Sequence, residues 1–452
     1  MQLEVAASNT SAYQQHVNPQ WVRLLDLLGM NVRYKSCLGA ELITDSGDRI
    51  VDFLAGYCVY NTGHNHPRII DALVTELARN GPSMLQSHVP ELAGDLAARL
   101  CRLAGGRLTR AFFPNSGSEG VDTAIKFSRA HTRRDALLFA EGGFHGLTCG
   151  PLSLMSNPFW KEGFGSFLPD TKPVPFGDLA ALEKELATRR YAMFITEPIQ
   201  AEAGIRIPSP EYLRGAQDLC RRYGTVFVLD EVQTGMFRTG RFLAAHHFGA
   251  EPDMVILAKA LSGGLVPCAA VLMSSEISDS VFSTLARSFV HASTFSENGL
   301  AMRAAWATLD VLEDEQLGER ADRLGEELRK KLRSALSGYD MVRGVRGVGM
   351  LSGIEFQPPR GIALRLPFEA FRAIHPGMFG QILVMRLFRH EGMLTQICGN
   401  EPMVLKVAPP LVVTSDQIDA FVSAVDRSMA EVHSSRAFWS DALGLARKAI
   451  NI

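Results

Sequence analysis

Between residues 64 and 290 the chain repeats one pattern: a short unbroken apolar run, a polar cluster, then a stretch with helical periodicity. The runs are AFF (111–113), ALLFA (136–140), AMFIT (192–196), TVFVLD (225–230), DMVILA (253–258) and CAAVLM (268–273). A strand with one wet face alternates apolar and polar residues. Unbroken runs need apolar cover on both faces, and the segments between them, such as EGVDTAIKFSRA and EYLRGAQDLCRRYG, read as the covering helices. The pattern therefore predicts an α/β fold around a mainly parallel sheet. Ligands of such sheets sit beyond the carboxyl ends of the strands, so the residues that follow each run carry the functional information.

After AFF comes Pro114-Asn115-Ser116-Gly117-Ser118-Glu119-Gly120, a small glycine-containing turn that opens a helix. Free amides and the positive end of the helix dipole make such a turn a phosphate site, although an ordinary helix cap has the same composition. After ALLFA come Glu141, Gly142, Gly143, Phe144, His145 and Gly146; after AMFIT, Glu197; after TVFVL, Asp230 and Gln233; after DMVILA, Lys259. A lysine in a desolvated site is biased toward its neutral amine, which attacks carbonyls. A carboxylate at the end of a buried strand suits a cationic ring nitrogen. Together with a phosphate cradle, these are the groups that pyridoxal phosphate asks of a protein.

The chain resembles the class III (subgroup II) aminotransferases of the fold-type I pyridoxal phosphate enzymes, the family of ornithine, acetylornithine, putrescine and 4-aminobutyrate aminotransferases. The resemblance spans roughly residues 35–425. It is carried by GHNHP (63–67), NSGSEGVDTAIK (115–126), FHG (144–146), EPIQAEAG (197–204), LDEVQTGMFRTG (229–240), AKALSGG (258–264), HASTF (291–295) and VAPPLVV (407–413). It implies a mainly parallel seven-stranded sheet with helices on both faces and a smaller α+β domain built from both ends of the chain. It also implies that Lys259 is the Schiff-base lysine and Asp230 the acid that keeps the ring nitrogen protonated. Ser116, Gly117 and Ser118 would take the phosphate, Phe144 would stack on the ring, and Gln233 would bind the ring's phenolic oxygen. His145 and Glu197 join the same cofactor set, and Thr294 would reach the phosphate in a neighbouring subunit. A homodimer with shared active sites follows from the same resemblance.

The substrate side departs from that family. Where ornithine-type enzymes place an arginine for the α-carboxylate, this chain has Leu147, an apolar wall. Where a second arginine precedes the PPL motif, it has Lys406, with Glu202 as its gating partner. Lysine lacks the bidentate fork of arginine. Ala201 replaces a usual glycine, and Ser296 and Glu297 stand where two glycines are common. Tyr57, Leu147, Glu202 and Lys406 are thus the substrate-side candidates. They point to a primary amine without an α-carboxylate (a diamine, an ω-amino compound or an aliphatic amine or aldehyde), with an oxo acid as acceptor in a ping-pong exchange. An aminomutase of the semialdehyde type is the alternative within the family. A cofactor-sensing regulator would need an attached DNA-binding module, for which the roughly 35 residues before the family region leave little room.

The remaining features bound this reading. A formal net charge of −2 and the absence of a Lys/Arg-rich run give no expectation of nucleic acid. Seven scattered cysteines without a C-x-x-C pair fit a reducing compartment. With neither a signal-peptide pattern nor a long apolar run, a cytoplasmic protein without a membrane span is expected. The expected segments are 1–60 and 301–452 for the small domain and 61–300 for the cofactor-binding domain. Within them, a helix is expected over Pro19 to Leu28, a hairpin over AELITDSGDRIVDFL (40–54), long helices from Leu300 and Glu315, strands at 350–356 and 404–408, and an amphipathic tail helix over 433–452. No metal is expected: His64 and His66 belong to the GHNHP motif and have no third ligand nearby in sequence. The segment 376–388, PGMFGQILVMRLF, reads as a buried helix, with an adaptable apolar substrate lining as its other reading.

Overall fold

The computed structural model describes residues 11–85, 87–434 and 439. The central sheet has seven strands: β1 (Arg110–Phe112), β2 (Ala136–Ala140), β3 (Thr171–Val174), β4 (Tyr191–Thr196), β5 (Val226–Asp230), β6 (Met254–Leu257) and β7 (Ala270–Met273). Their spatial order is β1-β7-β6-β5-β4-β2-β3. Every pairing is parallel except those of β7, which runs antiparallel to both β1 and β6.

The burial pattern explains why the runs are unbroken. Leu138, Phe194, Phe227, Leu229, Val255 and Leu257 face one core. Their neighbours Leu137, Met193, Ile195, Val228 and Ile256 face another. Side chains alternate along a strand, and here both faces are covered. Helix Gly117–Thr132 supplies part of the second cover through Val121, Ala124, Ile125 and Phe127.

Strand β3 was not anticipated. It is short and carries Pro173, and it lies at the edge, paired on one side only, where a residue without an N–H is tolerated.

Both ends of the chain share a second sheet. The expected hairpin forms from Glu41–Thr44 and Arg49–Asp52, next to Tyr34–Leu38, and Met393–Leu394 pairs in parallel with Val51 and Asp52. A third sheet holds Val342–Val348, Leu351–Phe356, Val404–Val407 and Gln396–Ile397. Helix Pro19–Leu28 forms as expected, capped by the Asn18 side chain and ended by Gly29 at φ 63°. The helices Gly299–Asp314 and Leu317–Leu336 match the two long apolar and charged patterns. Helix Met378–Glu391 buries Phe379, Leu383, Val384, Leu387 and Phe388, so segment 376–388 is core rather than a substrate lining. Most of the expected tail helix lies outside the described residues.

Arg238 stitches these parts together. It is fully buried and donates to the carbonyls of Met350 and Pro409 and to Asn61 Oδ1. His64 and His66 pair with carboxylates, Asp52 at 2.7 Å and Glu315 at 3.0 Å. Among the described residues, no helix is long and apolar enough to cross a membrane.

Candidate active site

Three adjacent parallel strands deliver three ionisable groups to one edge. Asp230 is the last residue of β5, Glu197 follows β4, and Lys259 lies two positions beyond β6. Phe144 and His145 follow β2, and residues 116–118 follow β1. Because β7 is antiparallel, the residues that lead into it, Pro267 and Cys268, reach the same edge. These segments enclose a cavity of about 460 Å³.

At the cavity floor, Asp230 is ordered by two partners. Its Oδ2 lies 2.8 Å from His145 Nδ1, and its Oδ1 accepts the Val232 N–H at 3.1 Å. Lys259 opens the short turn Lys259–Ser262 at φ 44°, a left-handed conformation that is uncommon for a residue other than glycine and that clusters at functional sites. Burial lowers the Lys259 pKa below the usual lysine range, while Asp230 opposes the shift. The amine is therefore biased toward its neutral, nucleophilic form. Burial pushes Glu197 up to about 7. Its two oxygens accept the Phe144 N–H at 3.0 Å and the Ala201 N–H at 3.1 Å, which fixes the backbone that carries the Phe144 ring.

At the opposite wall, Ser116 caps helix Gly117–Thr132 by accepting the Glu119 N–H, and the first-turn amides of Gly117 and Ser118 have no acceptor within the helix. Gly117 keeps the approach close: a Cβ there would stand 3.1 Å from Val232 Cγ2. Gly146, at φ 125°, passes directly over the Ser118 side chain.

These features fit pyridoxal phosphate. A helix N-terminus with free amides suits the phosphate, an ordered buried carboxylate suits the ring nitrogen, and a desolvated lysine suits the aldehyde carbon. Two buried polar atoms of the lining, Gln233 Oε1 and His145 Nε2, have no partner among the described residues.

The substrate-side candidates lie outside this lining. Lys406 and Glu202 form a buried ion pair. Burial pulls the Lys406 pKa down, but Glu202 carries it above the usual range, and Lys406 in turn holds Glu202 below its own despite burial. Glu202 also accepts from Gln233 Nε2 at 3.1 Å and from the Gly399 N–H at 2.9 Å. The pair thereby connects to the cofactor cavity through Gln233. The Tyr57 ring centre stands 5.1 Å from Lys406 Nζ. Tyr57 belongs to Ala55–Cys58, four successive residues with positive φ, anchored where Asp52 Oδ1 accepts the N–H groups of Leu54 and Ala55 at 2.8 Å.

Leu147 does not form a wall of the cavity. The chain leaves the lining at Gly146, and Leu147 beyond it is 54% exposed. Thr294 lies apart from the cavity in this chain and lines a second one of about 720 Å³ together with His291 and Phe289. Residues that the sequence did not bring forward stand near the site. Trp160 packs edge-on against Phe144, and Asn400 holds Trp160. A signal for them, the aromatic pair in NPFW (157–160), is visible only once Phe144 is placed.

The sequence pattern of the family Aminotransferase class-III matches residues 28–429. The chain is 33% identical over 443 residues to Aminotransferase PigE of Serratia sp. (strain ATCC 39006), covering 91% of this chain and 52% of that protein, so it spans about half the length of this curated relative. An ornithine aminotransferase from Toxoplasma gondii, whose structure has partial occupancy of pyridoxal phosphate at its active site, superposes with a TM-score of 0.81 at 28% identity. It covers 95% of this chain and 100% of that one. Acetylornithine aminotransferase from Elizabethkingia anophelis superposes at 0.71 with 29% identity, covering 91% and 99%.

Proposed function

Because the chain belongs to the class-III aminotransferase family, we propose that it is a transaminase whose donor is a primary amine without an α-carboxylate and whose acceptor is an oxo acid. Its cofactor, pyridoxal phosphate, supplies an aldehyde carbon for the donor nitrogen and a ring that withdraws the electrons of a broken C–H bond. The chain's own groups have separable tasks. The amides of 116–118 would hold the phosphate. Asp230, ordered by His145 and Val232, would hold a proton on the ring nitrogen, and Phe144 would lie against the ring. Lys259 Nζ, biased toward its neutral form by burial, would anchor the cofactor and, once freed by the donor amine, take the proton from the donor's α-carbon. Thr294 would serve the site of a second copy.

The observation that carries the donor assignment is a shortage of free cations. Among the described residues that line the cavity, Lys259 is the one lysine and there is no arginine. The substrate-side cation, Lys406, is committed to Glu202, which also accepts from Gln233 and Gly399. Separating such a buried pair leaves an uncompensated charge, so a carboxylate would be received only with Glu202 drawn aside as the gate, which the oxo acid would require, whereas a donor without a carboxylate leaves the pair closed. The relatives found are aminotransferases and give no support to the aminomutase alternative.

In Lys259→Ala, the visible absorbance of the loaded protein and all amino transfer are expected to be lost. Turnover retained in that variant would overturn the assignment.

A further inference from the structure

One aromatic side chain outside the cavity lining is held in a fixed place between the cofactor wall and the ion pair. Trp160 meets Phe144 edge-on, with ring centres 5.4 Å apart and planes at 80°. Its other end reaches Gly399, where an added Cβ would lie 3.4 Å from the indole and 3.2 Å from Glu202 Oε2. The indole therefore lies between the Phe144 ring and Gly399, whose N–H donates to the Glu202 carboxylate.

Asn400 sets this position. Its Oδ1 accepts from Trp160 Nε1 at 2.9 Å and from Asn157 Nδ2 at 3.0 Å. Its Nδ2 donates to the Gly142 carbonyl at 3.0 Å, and its backbone N–H donates to the Glu202 carbonyl at 2.9 Å. One amide thus ties the 157–160 loop, the turn after β2 and the Glu202 backbone together. Tyr57 lies against the Lys406 end of the ion pair. From the cavity, Gln233 leads to Glu202 and Lys406; a donor chain that extended from Lys259 in that direction would run toward Trp160 and Tyr57, and the cation there is already neutralised. Aromatic faces of this kind give their binding energy to hydrocarbon. Because Trp160 is held before the donor arrives, little ordering cost is left to binding.

We propose that Trp160 is a specificity-determining residue that walls the donor's chain and favours longer aliphatic amines, and that Asn400 is the positioning residue that holds it. The inference rests on the amine-donor reading above and adds the shape of the donor to it.

The test uses the cofactor-loaded protein, pyruvate, and the n-alkylamines from ethylamine to hexylamine. Amine titration of the visible band reads binding without turnover. In the wild type, kcat/KM is expected to rise by up to about fourfold per methylene, the value of burying one CH₂. In Trp160→Ala, the hexylamine-to-ethylamine ratio is expected to fall about tenfold or more, with the change carried by KM and by the titration midpoint. Asn400→Ala is expected to lower the ratio in the same sense. Trp160→Phe, which keeps a ring but loses the N–H, should resemble Asn400→Ala, and the Trp160→Ala/Asn400→Ala double variant should be no worse than Trp160→Ala alone. A chain-length gradient that persists in the variants, additive effects, or an equal loss for every donor overturns the wall and leaves the donor reading standing. A wild type that prefers ornithine to hexylamine overturns both.

Discussion

At the residue scale, the edge of the sheet places buried carboxyls in a row and treats them differently. Asp230 has two fixed donors. Glu197 and Glu231 are pushed up to about 7, chiefly by burial. Glu231 accepts the N–H groups of Ala244 at 3.0 Å and Ala245 at 2.8 Å as well as the Thr234 hydroxyl, so it anchors the segment after β5 rather than the cofactor. Its raised pKa has a definite sign for stability. Between the ordinary value of 4.5 and about 7 the folded chain keeps a proton that the unfolded chain has lost. The Glu231 contribution is therefore fully present below pH 4.5 and is lost as pH rises through 7, an amount on the order of 3 kcal/mol. Denaturant unfolding of Glu231→Gln between pH 4.5 and 8 should show a shallower decline than the wild type by that amount. Parallel pH profiles would contradict it.

At the element scale, the site is made by strand ends and one helix start. Gly117→Ala would press its methyl against Val232, which lines the cavity beside Asp230. Titration with pyridoxal phosphate is expected to show affinity about tenfold weaker, roughly 1.4 kcal/mol, with unfolding stability changed by less than that. Unchanged affinity would contradict the assignment of that helix start to the phosphate. The strands that bear these groups were legible because both faces of the sheet are covered, which leaves the unbroken runs seen in ALLFA and AMFIT. Strand β3 was not, because an edge strand with Pro173 carries no such run. Lys259, Asp230 and the 116–118 turn were legible as chemistry that follows a strand, and the resemblance supplied their roles. Asn400 and Trp160 were not, because each acquires its position from a partner some 240 residues away in the chain. The position of Leu147 was not legible either, since the turn at Gly146 decides which side of the wall the next side chain takes.

At the scale of the whole molecule, Arg238 joins the segment at Asn61, the turn after β5 and the carbonyls of Met350 and Pro409, so both ends of the chain are fixed relative to the central sheet. The second cavity, which holds Thr294, is lined by the exposed Leu85 and Phe289, and the exposed Val89, Val290 and Phe295 lie next to its lining residues in the chain. We propose that a second copy of the chain covers this face. An exposed apolar surface of this kind marks an interaction site, and sedimentation at micromolar concentration should report two chains, whereas a monomer would contradict the proposal. The central claim, however, concerns the donor, and a single comparison reads it most directly. With the purified, cofactor-loaded protein and either pyruvate or 2-oxoglutarate as acceptor, kcat/KM is measured for simple aliphatic amines and diamines against ornithine and acetylornithine. The shortage of free cations predicts that the amines without an α-carboxylate are the better donors by about tenfold or more, the 1.4 kcal/mol scale of one lost charge-assisted contact. Ornithine or acetylornithine as the better donor would contradict it.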